Sequence, residues 1–432
     1  MENYAAGSSV NDELTSGEAR AQRAARALIF ALVLALGLAT VVGAGIGENV
    51  DQVANATEDA PRLGGDYPAF FGAGSIILDG DLESLYVEDR QIDAQVGLLS
   101  AGGYLAFAYP PHVAAVYAPL AALPFQPSYL IHTLIMAASY FATLRVLAPI
   151  VPIISRWRLP LLAAGFTFYP LAIAIGGGQN AALTVLGFAI IWRALHEDRE
   201  WVAGFVAGLM MYRPQYALAA IGLMLLSKHW RAVGTAAATT VVTWAGTAVF
   251  FGLNWLPEWL EAVVPFVERD AEVNADNSIS ALGFFQALLG VESTLALVVG
   301  LAIAGSVVVT LMFLWSQPER FALSHRMAAL AIGSVIISPH ANFYDAAVLV
   351  IAGAAILGNK DRTNAPIKLL VIGWLAFLPY PVLRDLPANH LAGVMAVAFI
   401  AMVIATLQTE DRDIDPIGVA RVTGDQKVTT HA

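Results

Sequence analysis

Residues Glu200 to Lys228, EWVAGFVAGLMMYRPQYALAAIGLMLLSK, decide the fold. Two apolar runs meet at Arg213-Pro214, with Arg199 just before the first and Lys228 at the end of the second. Each run is about 11–14 residues, short of the ~20 that a helix needs to cross a ~30 Å hydrocarbon layer. A single tilted span would set Arg199 and Lys228 on opposite faces, against the retention of Lys and Arg on the cytoplasmic side. A hairpin of two short helices keeps both inside and lifts Arg213 into the outer half of the membrane. Irregular backbone at that depth is tolerated only where it is buried in protein or lines a wet cavity. The hairpin therefore predicts a cavity opening outward.

The rest of the chain has the same character. Of 432 residues, 58% are hydrophobic and 13% charged, against about 45–50% and about 25% in soluble domains. This composition predicts an all-α polytopic membrane protein. The absence of cysteine excludes a disulfide framework, a zinc-cysteine site and a thiol nucleophile. A net charge of −11 argues against nucleic acid as a partner. The run Ala27 to Gly47, behind Arg20, Arg23 and Arg26, is long enough to be a retained first span rather than a cleaved signal. Further spans are expected near 128–150, 159–175, 179–194, 200–212, 214–227, 232–253, 294–316, 322–338, 342–358, 367–383 and 387–407. That makes a bundle of about 12 transmembrane helices. Of the 23 Lys and Arg, only Arg62, Arg90, Arg269 and Arg384 fall outside, and Arg213 falls within the membrane.

The expected layout is a cytoplasmic tail (1–26), a membrane domain (27–407) and a cytoplasmic C-terminal tail (408–432). Two extracytoplasmic loops interrupt the membrane domain, at 48–127 and 254–293. The first is acidic up to Tyr109, and Pro110-Pro111 opens a helix read as lying at the outer interface. Trp255 and Trp259 in the second loop suit the headgroup level.

Several residues can carry chemistry. Gly64-Gly65-Asp66-Tyr67-Pro68 makes a tight turn, and Tyr67, Phe70 and Phe71 anchor it at the membrane surface. Asp66 is then either a functional carboxylate beside the bundle mouth or one more solvated acid. An intramembrane Arg213 calls for an anionic partner. It either grips a phosphate bidentately or forms a structural pair with a carboxylate such as Asp345. Gln179 and Asn180, after Gly176-Gly177-Gly178, either bind sugar hydroxyls or cap the following helix. Ser338 to Asp345, containing His340, Asn342 and Tyr344, is a polar pocket or a plain turn. His112 faces the same side. No dinucleotide fingerprint, phosphate-binding loop or metal-ligand motif is present, so neither cofactor nor metal is expected.

In order along the chain, the motifs are Gly64-Gly65-Asp66-Tyr67, Phe107-Ala108-Tyr109-Pro110-Pro111, Pro119-Leu120 and Leu123-Pro124. Gly178-Gln179-Asn180, Ala203-Gly204, Tyr212-Arg213-Pro214 and Lys228-His229-Trp230-Arg231 follow, then Asn277-Ser278 and Ser338-Pro339-His340. This series resembles glycosyltransferase family 87, polyprenyl-phosphate-sugar-dependent mannosyl- and arabinosyltransferases of the GT-C superfamily. One departure is Arg213, where the family often carries Lys, so a planar fork replaces a point charge. The resemblance implies a GT-C-like bundle that uses a polyprenyl-phosphate-linked sugar donor and a glycan or glycolipid acceptor at the outer face, among membrane lipids. It implies Asp66 as general base with inversion at the anomeric carbon. Arg213, His340 and His112 would attend the donor phosphate, and Gln179, Asn180, Tyr109, Asn342 and Asp345 the substrate. The alternative is a transporter or flippase of a polyprenyl-linked glycan.

Overall fold

The computed structural model describes residues 65–99, 104–358 and 390–413. The expected spans at Ala27–Gly47 and 367–383, the N-terminal tail and the end of the C-terminal tail lie outside the described residues.

The described chain is helical, with one isolated antiparallel bridge between Ser278 and Asn342. Its helices are α1 (Tyr67–Leu78), α2 (Glu88–Gln95), α3 (Pro111–Ala121), α4 (Phe125–Leu147), α5 (Pro152–Arg156) and α6 (Arg158–Thr167). Next come α7 (Tyr169–Gly176), α8 (Ala181–His196), α9 (Glu200–Leu209), α10 (Pro214–Leu226), α11 (Trp230–Phe251) and α12 (Trp255–Val273). The last are α13 (Ala281–Leu289), α14 (Thr294–Ser316), α15 (Leu323–Ile337), α16 (Leu349–Gly358) and α17 (Leu391–Asp413). Short 3₁₀ turns at Met210–Tyr212 and Phe343–Val348 lead into α10 and α16.

Among the described residues, four helices are long and apolar enough to cross a membrane: α4, α11, α14 and the Leu391–Gln408 part of α17. The pair α6 and α7, bent by 73°, makes a fifth if it is one broken span. The chain is thus a multi-pass membrane protein. Other expected spans coincide with shorter apolar helices, such as α8, α10 and α15. Prolines at the first turns of α7 and α10 break the runs there, because proline has no N–H to continue a preceding helix. Much of the segment read as the first loop is also helical. Likewise, α17 continues to Asp413, past the point where the tail was expected to begin.

The contacts around α9 settle the geometry of the opening stretch. Glu200, first residue of α9, accepts a hydrogen bond from the Arg231 backbone N–H at 3.1 Å and lies 3.0 Å from His229 Nδ1. One turn on, a Cβ on Gly204 would sit 2.0 Å from the Ala232 carbonyl oxygen, and one on Gly208 would sit 2.6 Å from Thr239 Cβ. Contacts that advance together mean that α9 and α11 run parallel, so α10, which joins them, returns antiparallel. The hairpin is real. Its small residues let the backbones approach closely, as between membrane helices generally. Arg199, Lys228 and Arg231 gather at one end and Arg213 lies at the other, about 20 Å along a helix of this length.

Two apolar cores result. The larger runs through α8, α10 and α15, with Phe188, Tyr216 and Trp315 fully enclosed. The smaller joins α1 to α3 through Tyr67, Phe70, Ile76, Phe107 and Tyr117. Between them the extended segment 105–107 is held by two buried glutamines. Gln91 Oε1 accepts from the Phe107 N–H at 2.8 Å, and Gln95 Nε2 donates to the Leu105 carbonyl at 2.9 Å.

Candidate active site

Asp66 stands where two glycine turns cross. Gly65 has φ +52°, and a Cβ there would lie 2.6 Å from the Gly177 carbonyl oxygen, so only glycine fits. The Asp66 N–H donates to that same carbonyl at 2.9 Å. From the other side the Tyr129 hydroxyl donates to the Gly176 carbonyl. Gly178, at φ +73°, then turns the chain into Gln179. The Gln179 side chain donates through Nε2 to Asp66 Oδ2 and accepts, at Oε1, from Arg213 Nη2 at 3.3 Å. One amide therefore bridges the carboxylate and the intramembrane arginine.

Arg213 sits between the Met210–Tyr212 turn and α10, at φ −126° and ψ 80°, outside either helix. Its Nη1 pairs with Asp345 Oδ1, and its Nη2 also donates to the Tyr109 hydroxyl at 3.2 Å. Both members of the ion pair are buried, with 7% and 5% of their side chains exposed. Asp345 Oδ2 accepts from the Asn342 backbone N–H at 3.1 Å. Tyr109 is aimed by its own backbone, since its carbonyl accepts from Tyr86 and the preceding Ala108 carbonyl accepts from Trp259 Nε1.

His340 completes the cluster. Its Nδ1 lies 2.7 Å from Asp270 Oδ2 on α12, with the Phe266 ring at its edge. The backbone around it is tied to the residues after α12, for the Ile279 N–H donates to the Ala341 carbonyl at 2.8 Å. Burial pushes the imidazole down, but the hydrogen bond and charge of Asp270, with help from Asp345, leave its pKa raised. Burial pushes the Asp66 carboxyl up, against the Gln179 hydrogen bond; the charges of Asp270 and Asp345 add to the rise and that of His340 opposes it. The cluster holds three carboxylates, one guanidinium and one imidazole. Asp345 faces Arg213 and Asp270 faces His340. Among the described residues no Lys, Arg or His lies within ion-pair distance of Asp66, which has an amide instead.

The chain matches the sequence model of glycosyltransferase family 87 over residues 107–339, more than half its length. It belongs to glycosyltransferase family 87. A polyprenol-phosphate-mannose-dependent alpha-(1-2)-phosphatidylinositol pentamannoside mannosyltransferase of Mycolicibacterium smegmatis is 29% identical over 167 residues. That alignment covers 38% of each chain. No solved structure matches. The family match takes in Tyr109, His112, Gln179, Asn180, Arg213 and Asp270; Asp66, His340, Asn342 and Asp345 lie beyond it.

Within this family member, Asp66, Gln179, Arg213, Tyr109, Asp345, Asn342 and His340 come together as one polar site. Asn342 reaches the Tyr344 hydroxyl through Nδ2 at 3.2 Å. Among the described residues, His112 makes no hydrogen bond to this group. Its Nδ1 lies 3.4 Å from Thr247 on α11, and burial pushes its imidazole down to about 4. Asn180 stands at the N-cap of α8 without capping it, and its Oδ1 is buried with no hydrogen-bond partner among the described residues. The functional candidate that sequence reasoning passed over is Asp270. It stands among Glu268, Glu272 and other acids of an amphipathic helix, and only the fold brings His340 to it.

Proposed function

We propose that this protein transfers a sugar, of the mannose or arabinofuranose class, from a polyprenyl-phosphate donor to an extracytoplasmic glycan or glycolipid acceptor. The observation that carries the reading is the unpaired Asp66, held by an amide at the crossing of two glycine turns. Asp345 and Asp270 are already engaged, by Arg213 and His340. Asp66 has no such ion-pair partner among the described residues, and burial raises its pKa, as suits a general base.

Asp66 takes the proton of the acceptor hydroxyl as that oxygen attacks the anomeric carbon. The bond to the phosphate oxygen breaks on the opposite face, so the carbon inverts and polyprenyl phosphate leaves as an anion. The leaving group needs positive charge more than a proton. His340, part-exposed and with its pKa raised by Asp270, is the accessible group that can supply that charge. Arg213 has its fork occupied by Asp345, Tyr109 and Gln179. It adds positive field and orients Gln179, and through Gln179 the base. Asn180, with its unsatisfied oxygen, is suited to accept from a sugar hydroxyl. The hairpin's shared basic end supports a cytoplasmic placement for that end, both termini inside and the site on the outer side.

The test is to incubate membranes containing the protein with a panel of radiolabelled polyprenyl-phosphate sugars and follow the loss of each donor. The proposal expects one donor to be consumed and its label to enter a glycan or glycolipid, in a manner dependent on Asp66. If no donor is consumed while a labelled lipid-linked glycan crosses the bilayer, the chain is a flippase and the proposal is wrong.

A further inference from the structure

We propose that Asp270 is a positioning residue: from α12 its carboxylate holds the His340 ring by Nδ1 and keeps it a cation, with Nε2–H turned to the phosphate of the lipid donor. The proposal rests on the transferase reading above and assigns a role to a residue that reading did not need.

Geometry carries it. Both Asp270 oxygens are engaged, Oδ2 by His340 Nδ1 and Oδ1 by Asn274 Nδ2, each at 2.7 Å, so the carboxylate is fixed in direction as well as place. Its side chain is only 11% exposed. It lies in the last turn of α12, facing the negative end of the helix dipole, where an acid is unfavourable unless a cation answers it. His340 is that cation. The ring is fixed from its own side too. Ser338 Oγ donates to the His340 carbonyl at 2.5 Å, and the antiparallel bridge of Ser278 and Asn342 joins the two segments. An imidazole bound at Nδ1 by a carboxylate has its tautomer and orientation set, leaving Nε2 as the working atom. The charges that face His340 are Asp270 from α12, Asp345 from the turn before α16, Arg213 from the hairpin and Asp66 from the glycine turn. Asp345 is already matched by Arg213. Removing the charge of Asp270 therefore leaves only Asp66 and the Arg213-paired Asp345 to oppose burial and Arg213.

The experiment uses the full chain in nanodiscs and the methyl diester of polyprenyl phosphate, a sugar-free probe whose phosphate does not titrate between pH 6 and 9. Binding is measured across that range for wild type, Asp270→Asn, Asp270→Glu and His340→Gln, with Glu272→Gln as a control on the same helix. Wild-type affinity should fall on the alkaline side as the ring loses its proton. Asp270→Asn keeps the hydrogen bond without the charge and should move that fall about 1–3 pH units lower, so that affinity is lost across the range where the wild type still binds, with thermal stability nearly unchanged. Asp270→Glu should restore most of the shift, and Glu272→Gln should do nothing. In the double variant with His340→Gln, Asp270→Asn should add no further effect. A pH curve unmoved by Asp270→Asn, in a protein that binds the diester, overturns this assignment alone. Wild-type protein that binds no diester at any pH overturns the donor reading, and this assignment with it.

Discussion

Arg213 and Arg326 are both buried, at 6% and 5% exposure, yet their surroundings differ in kind. Arg326, on α15, donates to the Phe321 carbonyl at 3.1 Å and to Ser227 Oγ at 3.2 Å, and lies 5.0 Å over the Trp315 ring. No carboxylate lies within ion-pair distance of it among the described residues. Carbonyl, hydroxyl and ring tie α14, α15 and the end of α10 together at the basic end of the hairpin, and nothing reactive is left over. Arg213 is held by a carboxylate, and its second nitrogen reaches through Gln179 to another carboxylate that has no cation of its own. A fold that needed only a tether would stop at Asp345. It is this extra, unbalanced acid on which the proposal that this end of the hairpin is the reactive one rests.

The contrast predicts unequal losses. Arg213→Ala strands Asp345 in a buried place, and breaking such a pair costs ~3–5 kcal/mol. Thermal unfolding should drop sharply and turnover should vanish. Arg326→Ala leaves the Phe321 carbonyl unsatisfied, at ~1–3 kcal/mol, while Ser227 Oγ still donates to the Trp315 carbonyl, and donor turnover per folded molecule should not change. If folded Arg326→Ala loses turnover as completely as Arg213→Ala, the contrast collapses.

Gln179→Ala sharpens the comparison. It should lower kcat ~10–150-fold, the range for losing a hydrogen bond to a charged group, with a smaller effect on unfolding temperature than Arg213→Ala. A kcat within twofold of wild type would remove Gln179 from the account.

The pH dependence of turnover follows from Asp66. Its folded pKa is raised by burial, so the base ionises late and the acid limb of kcat/KM should lie above the usual carboxylate range. The same shift bears on stability. A carboxyl whose folded pKa exceeds its unfolded one contributes stability at low pH that is lost as pH rises through the folded value. At neutral pH Asp66→Asn should therefore unfold at the wild-type temperature or slightly above it. The smallest effect is expected at Asp79 and Asp81, which meet Arg90 at the surface at 2.5 and 3.1 Å. Changing either to Asn should leave turnover within about twofold.

Much of this was legible in the sequence because it depends on local rules. Apolar run lengths marked the helices, basic residues at both ends of Glu200–Lys228 required a hairpin, and Arg213-Pro214 marked its break. Asp345 could be named as a partner for Arg213 because an intramembrane cation demands an anion. What local rules could not give was pairing across the chain. Gly65 against Gly177 is a backbone contact between two glycine runs, each of which reads alone as a flexible turn. Asp270 reads as one solvated acid on an acidic helix until the fold sets His340 against it. His112 shows the same limit: nothing in its local sequence points to Thr247 on α11, 3.4 Å from its Nδ1. The tally of full-length spans also exceeded the long helices described, since hydropathy does not distinguish a spanning helix from a short one enclosed by protein.

The most direct test of the account measures donor binding, unfolding temperature and turnover on a single preparation of Asp66→Asn. The amide keeps the shape of the carboxylate but cannot accept a proton at neutral pH. Turnover should fall about 10²–10⁴-fold, the usual contribution of general-base catalysis, with donor affinity and unfolding temperature held at wild-type values. Turnover above about a tenth of wild type would contradict the account.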